Sequence, residues 1–453
     1  MENNNEKVSM SQKLGILFAA IVSAIATGYV PNYINLYYTD TMGVSIGAIG
    51  LIIMITKITD GVTDIIMGMI LDRTHTRFGK AKPWLLCGAA GLSLTMIMLF
   101  HCPESFSTAG KIIYCALFYF LVNPIFGTMT SVACNTLPNL VTSHSKGRTV
   151  IGVFKSFGAL IPVIVIGIVV PKMLESMGEN QHAYFVITMV FVIMAIISAL
   201  IAFFMIKESV TERSEKTITE DQPIMEALKH LVSNKYFIYL AIGTILYNLS
   251  ATPVSTYYAK YIFNNVGTAS LINLPGVLMI FLLPLGIVIV NKFGKRKSMV
   301  IGLVAAALGH TLMYFANTNV GIFMIGKCVA SLGAIPYFVA LIPTMGEVCD
   351  YALYKTGKPM DGTISAANSM GEKIGTGLVA GLASLMLNAS GYISSTASTA
   401  VTQPDSALNM IRFLMGIFPA ICFILSAFCF YKIDLEKKGI EQIQQELRDK
   451  NMR

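Results

Sequence analysis

Apolar stretches of about 20 residues, separated by short polar segments, recur along the whole 453-residue chain. A helix needs about 20 apolar residues to cross a hydrocarbon core of roughly 30 Å. The pattern therefore predicts an all-α membrane protein with about twelve transmembrane helices. The predicted spans are 14–39, 44–71, 84–101, 111–136, 150–171, 184–206, 236–262, 268–291, 298–316, 319–349, 363–389 and 408–431.

One long polar segment, residues 207–235, divides these spans into six and six. We predict two six-helix bundles, at 1–206 and 236–432, joined by this central loop, in which a short amphipathic helix is expected. Residues 433–453 are predicted to form a C-terminal cytoplasmic helix, because their apolar residues have helical spacing. These residues are Leu435, Ile440, Ile443 and Leu447.

A short repeat relates the two halves. "RFGKAKPWLL" begins at Arg77 and "KFGKRKSMVI" begins at Lys292, an offset of 292 − 77 = 215, and each lies between the second and third span of its half. The equivalent position favours an internal duplication, as in many membrane carriers. Chance, or two basic turns under the same topological pressure, is the alternative.

Charge follows the predicted topology. Hydrophobic residues make up 54% of the chain and charged residues 13%, and the formal net charge is +8. Lys and Arg are concentrated in alternate loops, so the positive-inside rule places those loops and both termini in the cytoplasm of a multi-pass cell-membrane protein. This accounts for the charge without a nucleic-acid partner.

No CxxC pair occurs among the eight cysteines, and no cleaved signal peptide is evident.

The second predicted span contains charged residues. Lys57, Asp60 and Asp64 share one helix face, with Thr63 at its edge. Ionisable residues in a span are costly and usually pair, line an aqueous cavity or bind an ion. Two carboxylates one turn apart repel unless a proton or a hard cation lies between them, so we predict a coupling-cation site. A static pair of Lys57 with one Asp is the alternative, and it leaves the other Asp unexplained.

Five motifs span nearly the whole chain: "YYTDTMG" at 37–43, "DGVTDIIMG" at 60–68, "RFGKAKPW" at 77–84, "CDYALYKTGKPMDG" at 349–362 and "NSMGEKIGTG" at 368–377. Together they resemble the glycoside-pentoside-hexuronide:cation symporter family of the major facilitator superfamily. The resemblance implies a major facilitator fold and symport of a sugar or glycoside with Na⁺ or H⁺ by alternating access. It implies no enzymatic activity and no cofactor beyond the coupling cation, and a monomer is expected.

The resemblance also implies roles for particular residues. Asp60 and Asp64 are expected to bind the cation, as metal ligands if it is Na⁺, with Thr63 beside them. The expected sugar-side residues are Lys373, Asn368, Ser369 and Lys155, and Thr130 and Tyr37 are further polar candidates. For gating or coupling, the candidates are Lys57, Asp72, Arg73 and Glu372.

The sequence departs from the family on the sugar side. Two acids of the family align with Ala24 and near Thr130, a stacking tryptophan aligns near Cys134, and an arginine corresponds to Lys155. Without these two acids, the positive charges of Lys155 and Lys373 suggest an acidic sugar as substrate. Two rival functions stay open: a proton antiporter of the same fold for drugs or peptides, and, remotely, a membrane prenyltransferase, which needs a second Asp motif.

Overall fold

The structure is a computed structural model, and the ranges that it describes contain helices and no β-strand. The described ranges are 8–74, 76–142, 145–208, 234–356, 361–394, 402–435 and 439–449. Within them, side chains are described except at 58, 65, 72, 139, 145–149, 280, 356, 361–363, 365–370, 441, 444 and 448.

The described part of the first half forms eight α-helices, three of them continued by wider π-helical turns. The π-helical segments are Tyr37–Thr41, Leu121–Gly127 and Val165–Val169. Pro124 lies in the second of these, where its missing N–H interrupts the regular hydrogen-bond ladder. The helices are α1 (Met10–Leu36), α2 (Ile46–Asp72), α3 (Lys82–Leu99), α4 (Thr108–Phe120), α5 (Thr128–Val141), α6 (Ser145–Ile164), α7 (Val170–Met177) and α8 (Gln181–Met205).

The second half contains ten described α-helices. A short 3₁₀ turn at Val266–Thr268 lies at the start of the eighth predicted span, and another at Ile280–Leu282 interrupts that span. The helices are α9 (Lys235–Leu249), α10 (Ser255–Tyr261), α11 (Ala269–Met279), α12 (Leu283–Phe293), α13 (Lys295–Ala316), α14 (Val320–Thr356), α15 (Asp361–Ala389), α16 (Asp405–Met415), α17 (Ile417–Lys432) and α18 (Ile440–Asp449).

The described helices agree with the predicted spans. Within the described ranges, nine spans are long and apolar enough to cross a membrane, and a bent pair, Val266–Met279 and Leu283–Phe293, adds a tenth with a 52° bend. The other two predicted spans, 236–262 and 363–389, correspond to the pair α9 and α10 and to α15. The predicted all-α membrane architecture is therefore confirmed.

The chain divides into two compact units. Unit 1 comprises 1–217 with 259–270 and 380–407, two segments that the sequence assigns to the second bundle. Within it, α1 packs against α6 and α8, and α3 packs against α5 and α8. The shared core is built from small and branched side chains, among them Ile16, Ala19, Ala89, Ala133, Leu137 and Ala199.

Unit 2 comprises 218–258, 271–379 and 408–453. In this unit α13 packs against α14 and α17, and α9 packs against α17. The C-terminal helix α18 contacts the core of this unit through Ile440, and Leu447 on the same helix is also buried. The amphipathic helix predicted in the central loop lies outside the described residues, and the bundle boundaries remain a prediction.

The repeated loops share an unusual backbone feature. Gly79 has φ +113° and Gly294 has φ +83°, and the two glycines are related by the same offset of 215 as the repeat. Only glycine adopts this left-handed region without steric cost. The shared conformation supports the internal duplication over a chance match.

A carboxylate fixes the first of these loops. Glu208, which follows α8, accepts hydrogen bonds from the backbone N–H groups of Lys80 (2.6 Å), Ala81 (3.1 Å) and Lys82 (2.9 Å). These groups lie at the N-terminus of α3, where N–H groups have no partner within the helix and the helix dipole favours an anion. Glu208 therefore caps α3.

Candidate cation and substrate site

Lys57, Asp60 and Asp64 lie on α2 and, with Thr63, form what we call the acidic stripe. Asp60 is buried with 8% of its surface exposed, whereas Asp64 and Thr63 are half-buried. The Lys57 ammonium lies 3.9 Å from Asp60 Oδ2, which is an ion pair longer than a hydrogen bond. The coupling-cation site and the static pair of Lys57 with one Asp both remain predictions.

Thr128, the first residue of α5, joins the two carboxylates. Its hydroxyl oxygen lies 3.0 Å from Asp60 Oδ1 and 3.2 Å from Asp64 Oδ1. A hydroxyl has one proton, so it donates to one of these oxygens at a time. The Thr63 hydroxyl lies 3.5 Å from that of Thr128 and also donates to the Asp60 backbone carbonyl at 3.0 Å.

Two carboxylates and two hydroxyls therefore converge in this part of unit 1. Oxygen ligands of this kind suit a hard monovalent cation, and carboxylates so close together can also share a proton. Sequence reasoning missed Thr128 as a partner of the two acids and named Thr130, two residues further on, only as a sugar-side candidate. The available signal was the "NPIFG" stretch before it, since Pro124 and the π-helical turn change which face of the helix the following residues present.

Two predicted sugar-side residues have other partners in the described structure. Thr130 is fully buried, and its hydroxyl donates to the Gly127 carbonyl at 2.8 Å. The buried Tyr37 hydroxyl accepts a hydrogen bond from the Cys102 backbone N–H at 3.2 Å, and its ring packs against that of Tyr184. A role for either residue in sugar binding remains a prediction.

Lys155 has an uncharged partner. Its ammonium on α6 donates to the Asn135 side-chain carbonyl on α5 at 2.6 Å, and the residue is half-buried. The ion pairs between described residues include no carboxylate on Lys155. An amide orients the ammonium without neutralising it, so a positive charge is held at this position.

The other predicted residues lie at separate places in the chain. Lys373 is half-buried and Glu372 is exposed, both on the part of α15 that belongs to unit 2. Arg73 is exposed at the end of α2. The side chains of Asn368, Ser369 and Asp72 lie outside the described part of the structure.

A second polar cluster, which sequence reasoning missed, surrounds Asp40 in the π-helical turn after α1. Asp40 is 3% exposed, and its Oδ2 accepts a hydrogen bond from the Lys260 ammonium at 2.7 Å. The Tyr392 hydroxyl donates to Oδ1 at 2.6 Å, and the Tyr261 hydroxyl donates to Oδ2. Glu179 completes the group, with its Oε2 2.6 Å from the Lys260 ammonium.

We call Asp40, Glu179, Lys260, Tyr261 and Tyr392 the Asp40 cluster. All five lie within unit 1, although three come from the second half of the sequence. Among the described residues, only Asp40 has hydrogen-bond geometry toward Lys260, since Glu179 Oε2 lies close to the ammonium but is not aligned for a hydrogen bond. One cation thus compensates two carboxylates.

Comparisons with known proteins agree with this architecture. A family described as MFS/sugar transport protein matches residues 15–437. The isoprimeverose transporter of Lactiplantibacillus pentosus is 27% identical over 98% of this chain and 93% of its own length. The glucuronide carrier protein homolog of Escherichia coli strain K12 is 23% identical over 98% of both chains.

A solved structure gives the fold. The crystal structure of a D-xylose-proton symporter has a TM-score of 0.62 at 16% sequence identity, covering 94% of this chain and 96% of that one. The predicted major facilitator fold is confirmed. The chain belongs to the MFS/sugar transport family, within the glycoside-pentoside-hexuronide:cation symporters of the major facilitator superfamily.

Proposed function

We propose that this protein is a cation-coupled symporter of a sugar or glycoside that works by alternating access. The observation that carries the proposal is the convergence of the Thr128 hydroxyl on the carboxylates of Asp60 and Asp64 within membrane-spanning helices. Paired acids at such depth need a proton or a cation for charge compensation. Family membership supplies the substrate class.

The coupling cation, Na⁺ or H⁺, binds at Asp60 and Asp64. Thr128 and Thr63 supply neutral oxygens beside the acids, and Lys57 stays near enough to Asp60 to reduce the charge of the empty site. If the cation raises sugar affinity, linkage requires that the sugar raise cation affinity by the same factor. Lys373, Asn368 and Ser369 contribute to the sugar side, while Asp72, Arg73 and Glu372 serve conformational change.

The substrate is an acidic sugar or glycoside. Lys155 supports this, because its ammonium is held by the amide of Asn135 and keeps its charge for a ligand. The name of one relative, glucuronide carrier protein homolog, is consistent with an anionic substrate. Within a mostly apolar span, an uncompensated ammonium favours a carboxylate or another anion over a neutral hydroxyl group.

The protein works as a monomer in the bacterial inner membrane with both termini in the cytoplasm. The loop cations support this orientation, and the two bundles, 1–206 and 236–432, are the moving parts of alternating access. No chemical step is involved, because the cation and the sugar are bound and released unchanged.

Uptake into vesicles tests the proposal. Purified protein is reconstituted, a Na⁺ or an H⁺ gradient is imposed, and accumulation of matched neutral sugars and hexuronides is measured. Asp64→Asn should abolish gradient-driven accumulation while retaining exchange of the same sugar. Asp405→Asn, an exposed acid at the start of α16, is the matched control and should accumulate sugar like the unaltered protein.

Each alternative has its own outcome. Accumulation driven only by an opposed H⁺ gradient would establish the antiporter instead. Equal gradient coupling in Asp64→Asn and Asp405→Asn would refute the cation site. Equal accumulation of neutral sugars and hexuronides would refute the acidic substrate while leaving symport intact.

A further inference from the structure

An apolar groove of about 460 Å³ runs along the outside of unit 2, where α12, α13 and α14 meet. Ser298 is the one side chain with a hydroxyl among its lining residues, which are otherwise aliphatic, aromatic or glycine. Several lining side chains are exposed, with 67% of Ile301, 56% of Phe293 and 48% of Leu332 accessible.

The groove exists because α13 and α14 approach each other through small residues. A methyl group at Gly302 would collide with the Gly333 carbonyl oxygen, so the backbones are in direct contact there. Ala305, one turn further along α13, is half-buried and leaves room above this contact. Both helices are long and apolar enough to span the membrane, so the groove faces hydrocarbon and its occupant must be apolar along its length.

One end of the groove is basic. Lys292 and Lys297 are both exposed, and they directly precede Phe293 and Ser298, which line the groove. Two neighbouring cations are already engaged: Lys295 pairs with Glu347, and Arg296 donates through Nε to the Tyr431 carbonyl at 2.9 Å. The ion pairs of the described residues include no carboxylate on Lys292 or Lys297.

The duplicated loop of the first half shows which kind of group this turn accommodates. There the carboxylate of Glu208 lies on the N–H groups of residues 80–82, directly after Gly79. The positions related by the offset of 215 are 295–297, directly after Gly294, and all three are Lys or Arg. Asp434, which follows the last span of the second half as Glu208 follows that of the first, accepts a hydrogen bond from the Tyr236 hydroxyl at 2.8 Å instead.

We propose that the groove binds an anionic phospholipid. One acyl chain lies along Phe293, Ala305 and Leu332, and the headgroup phosphate lies at Lys292 and Lys297. An apolar tail next to a negative headgroup matches an apolar groove with two exposed lysines at one end. Because a zwitterionic lipid also carries a cationic group in its headgroup, it gains less from the two lysines.

Native mass spectrometry of the purified full-length protein tests this. Binding of phosphatidylglycerol and of phosphatidylethanolamine is titrated for the unaltered protein and for the Lys292→Gln, Lys297→Gln double variant. We expect the loss of two charges to weaken phosphatidylglycerol binding by about tenfold and to change phosphatidylethanolamine binding much less. The matched control replaces Lys207 and Lys235, two exposed lysines outside the groove, with Gln and should bind like the unaltered protein.

A second variant separates the tail from the headgroup. Ala305→Phe fills the groove, leaves both lysines in place and should weaken both lipids alike. The proposal is overturned if the control double variant loses as much phosphatidylglycerol as the test variant, since binding is then diffuse attraction to basic loops. It is equally overturned if Ala305→Phe changes neither lipid, or if inorganic phosphate displaces phosphatidylglycerol, which would make the site one for a free anion.

Discussion

The ammonium of Lys260 lies 2.7 Å from Asp40 Oδ2, although the two residues are 220 positions apart in the sequence. The same ammonium lies 2.6 Å from Glu179 Oε2, so it compensates two carboxylates at once. Asp40 is almost completely buried and also receives the hydroxyls of Tyr261 and Tyr392. Removing the charge of Lys260, of Asp40 or of Glu179 should therefore cost a different amount of stability in each case.

This inequality predicts a rank order of stability. Lys260→Gln should be the most damaging change, costing about 3 kcal/mol, because it leaves two adjacent carboxylates in a buried site without a cation. Asp40→Asn should cost less, since Lys260 keeps Glu179. Glu179→Gln should cost least, because Lys260 keeps its aligned hydrogen bond to Asp40. Unfolding of the purified protein in detergent, followed by intrinsic fluorescence or a thiol-reactive dye, measures all three.

The control for this series is Lys172→Gln, which removes an exposed lysine on α7. It should unfold at the temperature of the unaltered protein. If Lys260→Gln behaves like Lys172→Gln, the Asp40 cluster does not stabilise this conformation. If Glu179→Gln is the most damaging of the three, Lys260 depends on Glu179 and not on Asp40.

Thr128→Ala should weaken binding of the coupling cation by about tenfold, as expected for loss of a neutral oxygen that bonds a charged group. The carboxylates of Asp60 and Asp64 remain, so transport should persist at a higher cation concentration. Sugar uptake measured as a function of Na⁺ concentration or pH gives the half-saturating value. Thr136→Ala is the matched control, because its hydroxyl on the same helix donates to the Val132 carbonyl at 2.9 Å and, among the described residues, to no carboxylate. Equal half-saturating values in the two variants would remove Thr128 from the site.

Much of this fold is local in origin and could be predicted from the sequence. Apolar runs gave the membrane spans, and helical spacing alone put Asp60 and Asp64 on one face of α2. The partners of these residues could not be predicted in that way. Thr128 meets the acids through packing of α5 on α2, after a π-helical turn that shifts its helix face, and Lys260 reaches Asp40 from a distant segment.

Glu208→Ala should destabilise the protein by about 1 to 2 kcal/mol, because three backbone N–H groups at the start of α3 lose their acceptor. The loop from Thr76 to Lys82 should then exchange its amide hydrogens faster, which hydrogen exchange with mass spectrometry detects locally. Glu104→Ala removes an exposed acid from another loop and is the matched control. Unchanged exchange in this loop in Glu208→Ala would mean that the cap does not hold it.

Lys155→Gln should change sugar selectivity more than overall transport. The Asn135 amide can still hydrogen-bond a glutamine side chain, so the local packing of α5 and α6 should survive. Loss of the ammonium removes the attraction to an anionic group, and we expect half-saturating hexuronide concentrations to rise about tenfold or more while those of neutral glycosides change little. Lys155→Arg keeps the charge and should retain the preference. The measurement is competitive uptake of a hexuronide and its neutral counterpart by the same vesicles. A parallel loss of both substrates in Lys155→Gln would identify Lys155 as a structural residue and remove the main support in this chain for an acidic substrate.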